Sequence, residues 1–222
     1  MAGFCVNGSE TRRITVLLVD DHAVVREGYR QLLERDHRLA VVGEAASAAE
    51  AMRLDGELQP DVIVLDIALP GISGIEILRR VLSRRPQACV LMFSMYQDGI
   101  YATRAINAGA RGYVSKSSAP DLLVEAVRAV ATGRRYLSPD VEIAMSKQSS
   151  SANQLAETLS PRELEVLRLL TQGFGVEEIG ERLGLSPKTA ANHQSSIKQK
   201  LGADSALQLL LIAQQYGLDS GK

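Results

Sequence analysis

A chain of 222 residues with 45% hydrophobic side chains is long enough for one or two domains with cores of their own. Its 25 Lys/Arg and 26 Asp/Glu leave a net charge of −1, so any affinity for nucleic acid has to come from a local patch and not from bulk charge. No run approaches the roughly 20 apolar residues needed to cross a bilayer. The two cysteines, Cys5 and Cys89, have no CxxC or Cys/His neighbourhood that would support a disulfide framework or a zinc site.

Residues 1–13 are polar and contain glycine, and they lack the apolar stretch of a signal peptide; they read as the flexible tail of a cytoplasmic protein. From Ile14 onward short apolar runs alternate with amphipathic stretches. Strands are predicted at Ile14–Val19, Leu39–Glu44, Val62–Leu65, Cys89–Phe93 and Gly112–Val114, with helices between them. The first helix places Val25, Tyr29, Leu32 and Leu33 on one stripe; the third does so with Ile75, Leu78 and Leu82, and the last with Leu123, Ala126, Val127 and Val130. Val62–Leu65 has no polar interruption, which suits a strand buried on both faces of a parallel sheet. Five βα repeats over residues 14–132 predict a doubly wound α/β fold with strand order 2-1-3-4-5.

That order would bring four strand ends to one crevice. Strand one ends in Asp20-Asp21, strand three in Asp66, strand four in Ser94, and strand five is followed by Lys116. Three carboxylates gathered in one place repel unless a cation neutralises them, and hard oxygen donors suit Mg²⁺. A carboxylate beside such an ion can act as a nucleophile towards phosphorus, with Lys116 and Ser94 able to meet the transferred phosphoryl oxygens. Singly, each residue has an ordinary explanation: a helix cap for Asp20-Asp21, a turn for Ser94, a solvated charge for Lys116. Their meeting on the strand ends of one sheet is the stronger signal.

These residues stand in stretches that resemble the receiver domain of two-component response regulators: Val19-Asp-Asp-His22, Leu65-Asp-Ile-Ala-Leu-Pro-Gly71, Phe93-Ser94 and Gly109-Ala-Arg-Gly-Tyr-Val-Ser-Lys116. The resemblance implies that Asp66 accepts a phosphoryl group from a cognate sensor histidine kinase. It implies that Asp20, Asp21, Asp66 and the backbone carbonyl of Ala68 bind Mg²⁺, and that Ser94 and Lys116 contact the phosphoryl oxygens. Tyr113 matches the family's aromatic switch. The only chemistry implied is phosphoryl transfer to Asp66 and its later hydrolysis, not turnover of a substrate. Tyr96, two residues beyond Ser94, is expected to shield the phosphoryl group from water. His22 is expected to have a neutral structural role, and His37 to lie on the surface.

Residues 133–154 read as a linker: Gly133, then Ser138-Pro139 opening a short helix to about Met145, then a serine- and glutamine-rich run to Gln154. Residues 155–222 carry four helical segments and no strand pattern, with seven Lys/Arg against eight Asp/Glu. Ser160-Pro-Arg-Glu163 is a capping box for a helix with Leu164, Leu167 and Leu170 inward and Gly173 at its end. A helix over Val176–Leu183, the turn Gly184-Leu-Ser186 and a helix opening at Pro187 form a helix-turn-helix. On this last helix Ala190, Ile197 and Leu201 face the core, so Lys188, Asn192, Ser195 and Gln199 face outward, and the segment 187–201 holds three lysines and no acid. Asn and Gln can read adenine edges in a major groove, and lysines and His193 can meet phosphates; a solvated polar face on a small bundle would look similar. The fourth helix, from about Ser205 to Tyr216, is apolar beyond one face, which suits a dimer seam or closure of the small core.

Leu159-Ser-Pro-Arg-Glu-Leu-Glu-Val-Leu167, Glu178 to Thr189, Asn192-His193 and Lys200-Leu-Gly202 are similar to the LuxR-type helix-turn-helix. With the receiver, this identifies the NarL/FixJ class of transcriptional regulators, with weaker likeness to its UhpA-like members. The resemblance implies double-stranded DNA as ligand, contacted by Lys188, Thr189, Ala191, Asn192, His193, Ser195, Ser196, Lys198, Gln199 and Lys200. It also implies a homodimer on activation, RNA polymerase as a further partner and no membrane association. Four positions depart from the family's pattern: Ala191 and Gln194 where basic or larger polar residues are common and Glu177 where Lys is common, which thin the phosphate-facing charge, and Gly180 in place of the usual Ala, which costs a helix up to about 1 kcal/mol. The alternative is a receiver that signals through protein contacts, its DNA-binding domain having lost sequence readout.

Overall fold

The computed structural model describes residues 12–147, 157–215 and 218. Almost all of the expected tail, the second half of the expected linker and Tyr216 lie outside the described residues. The strands are β1 (Ile14–Val19), β2 (Leu39–Ala45), β3 (Val62–Leu65), β4 (Cys89–Ser94), β5 (Gly112–Ser115) and β6 (Tyr136–Leu137). They form one parallel sheet in the order β2-β1-β3-β4-β5-β6. The predicted doubly wound order is present, with a short sixth strand added at the β5 edge.

Helices α1 (Ala23–Glu34), α2 (Ala48–Leu58), α3 (Gly74–Arg84), α4 (Gly99–Asn107) and α5 (Pro120–Ala131) cover the two faces. Alternation along the strands divides the core accordingly. Leu17, Ile63, Leu65 and Met92 pack with Ile75, Leu78 and Ile100 on one side; Val16, Leu18, Val62 and Val64 pack with Leu33, Leu123 and Val127 on the other. The α1 stripe is shorter than its periodicity predicts. Ala23, Val24 and Val25 are all exposed because the first turn stands clear of the sheet, and only Leu33 is fully buried.

The first half of the expected linker belongs to this sheet. Tyr136 and Leu137 pair with Gly112 and Tyr113, and α6 (Pro139–Ser146) packs on α4 with Val141 buried. The Ser138 hydroxyl accepts from the Ser115 amide at 3.3 Å, and the Ser118 hydroxyl donates to Asp140 at 2.7 Å, so the loop after β5 is tied to α6.

The C-terminal helices are α7 (Pro161–Thr171), α8 (Val176–Leu183), α9 (Pro187–Leu201) and α10 (Ala206–Gln215). The predicted capping box is formed: Ser160 Oγ accepts from the Glu163 amide at 3.2 Å and Glu163 Oε2 from the Ser160 amide at 2.7 Å. Ala190 and Ile197 are buried and Leu201 partly so. Gly180 is required by close packing: a Cβ there would lie 2.9 Å from the Leu185 carbonyl oxygen, so alanine would crowd the turn into α9 instead of only favouring the helix.

Helix α7 departs most from a simple amphipathic reading. Besides the Leu164 and Leu167 stripe, it buries Arg162, Glu163 and Glu165. Its second face lies against the first domain, and apolar contacts run from the sheet into the C-terminal helices without a break.

Candidate functional site

Backbone register levels the strand ends. The Asp20 amide donates to the Ala45 carbonyl and the Asp66 amide to the Val19 carbonyl, both at 3.0 Å; the Lys116 amide donates to the Ser94 carbonyl at 2.9 Å. Asp20 and Asp66 are thereby buried, at 5% and 4% exposure. Lys116 reaches between them, its ammonium 2.6 Å from Asp20 Oδ2 and 2.5 Å from Asp66 Oδ2. Asp66 Oδ1 accepts from the amides of Ile67 at 2.7 Å and Ala68 at 3.3 Å.

Burial pushes the Asp66 carboxyl above its ordinary range; Lys116 opposes this and the neighbouring Asp20 adds to it. Burial would lower Lys116, but Asp66 and Asp20 outweigh it and leave the ammonium held above its ordinary value. Donor atoms of Asp20, Asp21, Asp66 and His22 lie within 4.8 Å of one another. One ammonium against three carboxylates leaves a charge of −2 before any ion enters, and the oxygen donors are of the kind Mg²⁺ takes. The residues therefore fit a divalent cation. His22 leans over the same group, Nδ1 2.9 Å from Asp21 Oδ1 and 3.2 Å from Asp20 Oδ1, with most of its ring in solvent.

Ser94 and Tyr113, both fully buried, are joined through Tyr96. The Tyr96 amide donates to Ser94 Oγ at 3.3 Å, and the Tyr113 hydroxyl donates to the Tyr96 carbonyl at 2.6 Å. The Tyr96 ring stacks on Tyr101, with ring centroids 4.3 Å apart, and the Arg168 guanidinium of α7 lies 4.8 Å from its centre. Arg168 also pairs with Asp98, the N-cap of α4. Burial raises the Tyr96 phenol, and burial lowers the Arg168 guanidinium, with Tyr96 partly restoring it.

A second tie reaches the loop after β3. Arg162 donates to the carbonyls of Leu69 at 3.2 Å and Leu183 at 2.9 Å, and the Gly71 amide donates to the Leu183 carbonyl at 3.1 Å. Arg162 also pairs with Glu165 at 2.5 Å, whose carboxyl burial pushes up against the opposing pull of Arg162 and Ser73. Arg104 of α4 donates to the Leu159 carbonyl at 2.6 Å. Sequence reasoning assigns no such contacts to Arg162, Glu165 or Arg168. Their only signal is a spacing of three, which places them on one face.

On α9, Lys188, Asn192, Ser195 and Gln199 are exposed together, as the spacing predicts. Thr189, Ala191, His193, Ser196 and Lys198 are half-buried along its flanks, and Lys200 is exposed. Part of the expected positive charge is engaged inside the domain: Lys200 pairs with Glu163 at 2.6 Å, and Ser196 donates to Glu163 Oε1 at 2.6 Å. Ser195 bonds back to the Ala191 carbonyl at 3.0 Å. Burial lowers the His193 pKa, against a partial upward pull from Glu163.

A doubly wound sheet with clustered carboxylates at its strand ends, carrying a helix-turn-helix, defines a regulator with a receiver and a DNA-binding domain. Residues 16–128 match the response regulator receiver domain family, and residues 157–213 match the luxR family of bacterial regulatory proteins. The chain belongs to the response regulators with a LuxR-type DNA-binding domain, and it is a transcriptional regulator. It is 40% identical over 197 residues to the transcriptional regulatory protein UhpA of Escherichia coli K12, covering 88% of this chain and 95% of the relative. Among solved structures, a LuxR-family response regulator from Aurantimonas sp. SI85-9A1 is 47% identical, with TM-score 0.60 over 61% of this chain and 96% of that one. RcsB from Salmonella enterica serovar Typhimurium, bound to promoter rprA with the phosphomimetic BeF3−, is 28% identical, with TM-score 0.64 over 90% of this chain and 98% of that one. No helix among the described residues is long and apolar enough to cross a membrane.

Proposed function

We propose that Asp66 is the phosphoacceptor of a cytoplasmic response regulator, and that its phosphorylation sets dimerisation and DNA binding by the C-terminal domain. The observation that carries this is the buried Asp66 carboxylate at the end of β3, in one cluster with Asp20 and Asp21 and bonded to Lys116. A carboxylate oxygen of Asp66 attacks phosphorus, the phosphorus–nitrogen bond of a kinase phosphohistidine breaks, and the freed imidazole takes its proton from solvent. Asp20, Asp21, Asp66 and the Ala68 carbonyl would hold Mg²⁺, which supplies charge neutralisation at the phosphoryl oxygens when bound. Lys116 leaves the paired carboxylates to meet the new charge, and Ser94 turns towards a phosphoryl oxygen. Tyr113 follows Ser94, biasing an existing equilibrium between two arrangements.

We further infer that residues 14–132 act as receiver and 155–222 as DNA-binding domain, with Lys188, Asn192, Ser195 and Gln199 facing base edges. Thr189, Ala191, His193, Ser196, Lys198 and Lys200 flank them towards the backbone. Two recognition helices of a homodimer would meet half-sites about one helical turn apart, within reach of RNA polymerase. The test is recovery of genomic fragments by the purified protein with Mg²⁺ and a small-molecule phosphoryl donor. Paired half-sites enriched only by phosphorylated wild type, and not by Asp66→Asn, are expected. Phosphorylation at Asp66 without enrichment would point instead to signalling through protein contacts.

A further inference from the structure

Ala23, Val24 and Val25 stand in solvent at the head of α1, yet the next side chain turns back to the end of β1. Arg26 has only 16% of its side chain exposed. Its Nη1 donates to the Asp20 carbonyl at 2.6 Å and its Nε to Glu44 Oε2 at 3.0 Å. Glu44 pairs with Leu18 in the register of β1 and β2, and Arg30, one turn further along α1, also reaches it at 3.3 Å. A guanidinium offers its donors in a rigid fork, so a carboxylate on one prong fixes the direction of the other. The stem of Arg26 lines a gap of about 10 Å³ with Tyr29 and Phe93, barely room for one water.

The Asp20 carbonyl belongs to the peptide group that carries Asp21, and a peptide group is planar. Asp20 and Asp66 are anchored by their own side chains. Asp20 Oδ1 accepts from the His22 amide at 2.8 Å, Asp66 Oδ1 accepts from two backbone amides, and both carboxylates meet Lys116. Asp21 lacks such an anchor: its Oδ1 is buried without a hydrogen bond among the described residues, and His22 Nδ1 comes within 2.9 Å without hydrogen-bond alignment. The backbone therefore sets where the Asp21 carboxylate points. We propose that Arg26 is a positioning residue for the cation site: clamped by Glu44, it fixes the Asp20–Asp21 peptide and so aims the Asp21 carboxylate, raising the affinity for Mg²⁺ without touching the ion. The proposal rests on the reading of Asp20, Asp21 and Asp66 as Mg²⁺ ligands. Mg²⁺ demands near-ideal octahedral geometry, so a carboxylate free to swing forfeits affinity. Groups that orient a metal's ligands typically contribute about 10–100-fold to its binding.

The experiment is a calorimetric titration of the full-length protein with Mg²⁺, beside its thermal unfolding in a chelating buffer. Two variants hold the local charge constant. Arg26→Lys keeps the stem and the charge but loses the fork, so it meets the carbonyl or Glu44 and not both. Arg26→Met combined with Glu44→Gln removes the guanidinium and the carboxylate together. The double variant is expected to bind Mg²⁺ about tenfold more weakly than wild type, and Arg26→Lys about threefold. Arg26→Met alone leaves one more negative charge beside the site; simple attraction would then tighten Mg²⁺ binding, whereas a lost aim weakens it. Phosphorylation of the variants by a small-molecule donor should need more Mg²⁺ for half its maximal rate and reach the wild-type maximum at saturation. Wild-type Mg²⁺ affinity in the two charge-balanced variants, or tighter binding by Arg26→Met, would overturn the assignment, because a packing role alone moves the unfolding temperature and not the affinity. Wild type that takes up no Mg²⁺, or Asp21→Asn that takes it up equally well, would overturn the cation-site reading and the proposal with it.

Discussion

The two functional regions of this molecule are built on opposite electrostatic plans. At the carboxyl end of the sheet, ionised groups are buried, crowded and mutually compensated: Lys116 serves Asp20 and Asp66 at once, and among the described residues no other lysine or arginine pairs with either carboxylate. On the outer face of α9, Lys188, Asn192, Ser195 and Gln199 stand in solvent, and Lys188, the one charged group of the four, forms no ion pair among the described residues. In the first region a side chain is defined by its neighbours, so removing one changes the charge and position of the rest. In the second each group acts nearly alone, so losses should add. The first plan suits a switch, whose parts must move together; the second suits recognition, whose parts are summed.

The largest effect should come from breaking the compensation. Lys116→Met leaves two buried carboxylates without their shared cation, a loss of about 3–5 kcal/mol by the usual penalty for an orphaned buried charge. Urea unfolding, followed through tyrosine signals that come mainly from the receiver, should show this in a chelating buffer. Adding Mg²⁺ should narrow the gap, because the ion and the ammonium relieve the same repulsion. A gap of equal size with and without Mg²⁺ would mean that they do not.

The second effect is carried by Glu163, the point where compensation recurs inside the DNA-binding domain. Burial opposes its charge, but Lys200, Ser196 and the Ser160 amide together hold its carboxyl down to about 2 from an ordinary 4.5. A carboxyl depressed on folding stabilises the fold above its unfolded pKa and loses that contribution as pH falls through the folded one. The C-terminal helices should therefore lose stability between about pH 4.5 and pH 2. Glu163→Gln should cost about 1–3 kcal/mol at neutral pH, as buried partners are left unmet, and should flatten that acid dependence. Circular dichroism against pH for both proteins checks the sign.

Asn192→Ala should behave in the opposite way. With its side chain exposed on α9, the fold should change by no more than about 0.5 kcal/mol. Binding to the preferred half-site should weaken by about 1–3 kcal/mol, with selectivity lost at one base pair. Thermal unfolding beside a binding titration separates the two quantities. Equal weakening on every sequence would place Asn192 at the phosphates.

The sheet was legible because its physics is local and repeated: an apolar run, a turn, an amphipathic stripe, five times over. The strand-end cluster was legible because topology, once fixed, dictates which tips meet, and Asp20, Asp21, Asp66, Ser94 and Lys116 are all tip residues. The docking face was not. Arg162, Glu165 and Arg168 are polar, and an amphipathic test assigns polar residues to solvent, yet all three are largely buried against the receiver. Long side chains can cover apolar surface while their heads find partners across an interface, and no periodicity within one helix reports the partner. The surroundings of Tyr96 were hidden for the same reason: its stacking partner Tyr101 is near in sequence, but Arg168 is 72 residues away. Strand β6, two residues long, lies below what a pattern can resolve.

The finest separation between the two plans is the one between two lysines of the same helix. Lys188 opens α9 with an exposed side chain and no ion-pair partner among the described residues, whereas Lys200 closes it against Glu163. A lysine free to neutralise a phosphate releases a counterion, so its loss should lower the slope of log affinity against log salt by about 1. Lys188→Ala should do this with little change in unfolding temperature. A lysine already neutralised within the domain has less charge to give the duplex, so Lys200→Ala should move the slope less and the unfolding temperature more. DNA titrations over a range of salt, paired with thermal unfolding of the same two variants, decide the matter. Equal slopes with equal stabilities would mean that Lys200 leaves Glu163 for the phosphate when DNA binds, and the compensated plan would then extend into the recognition surface itself.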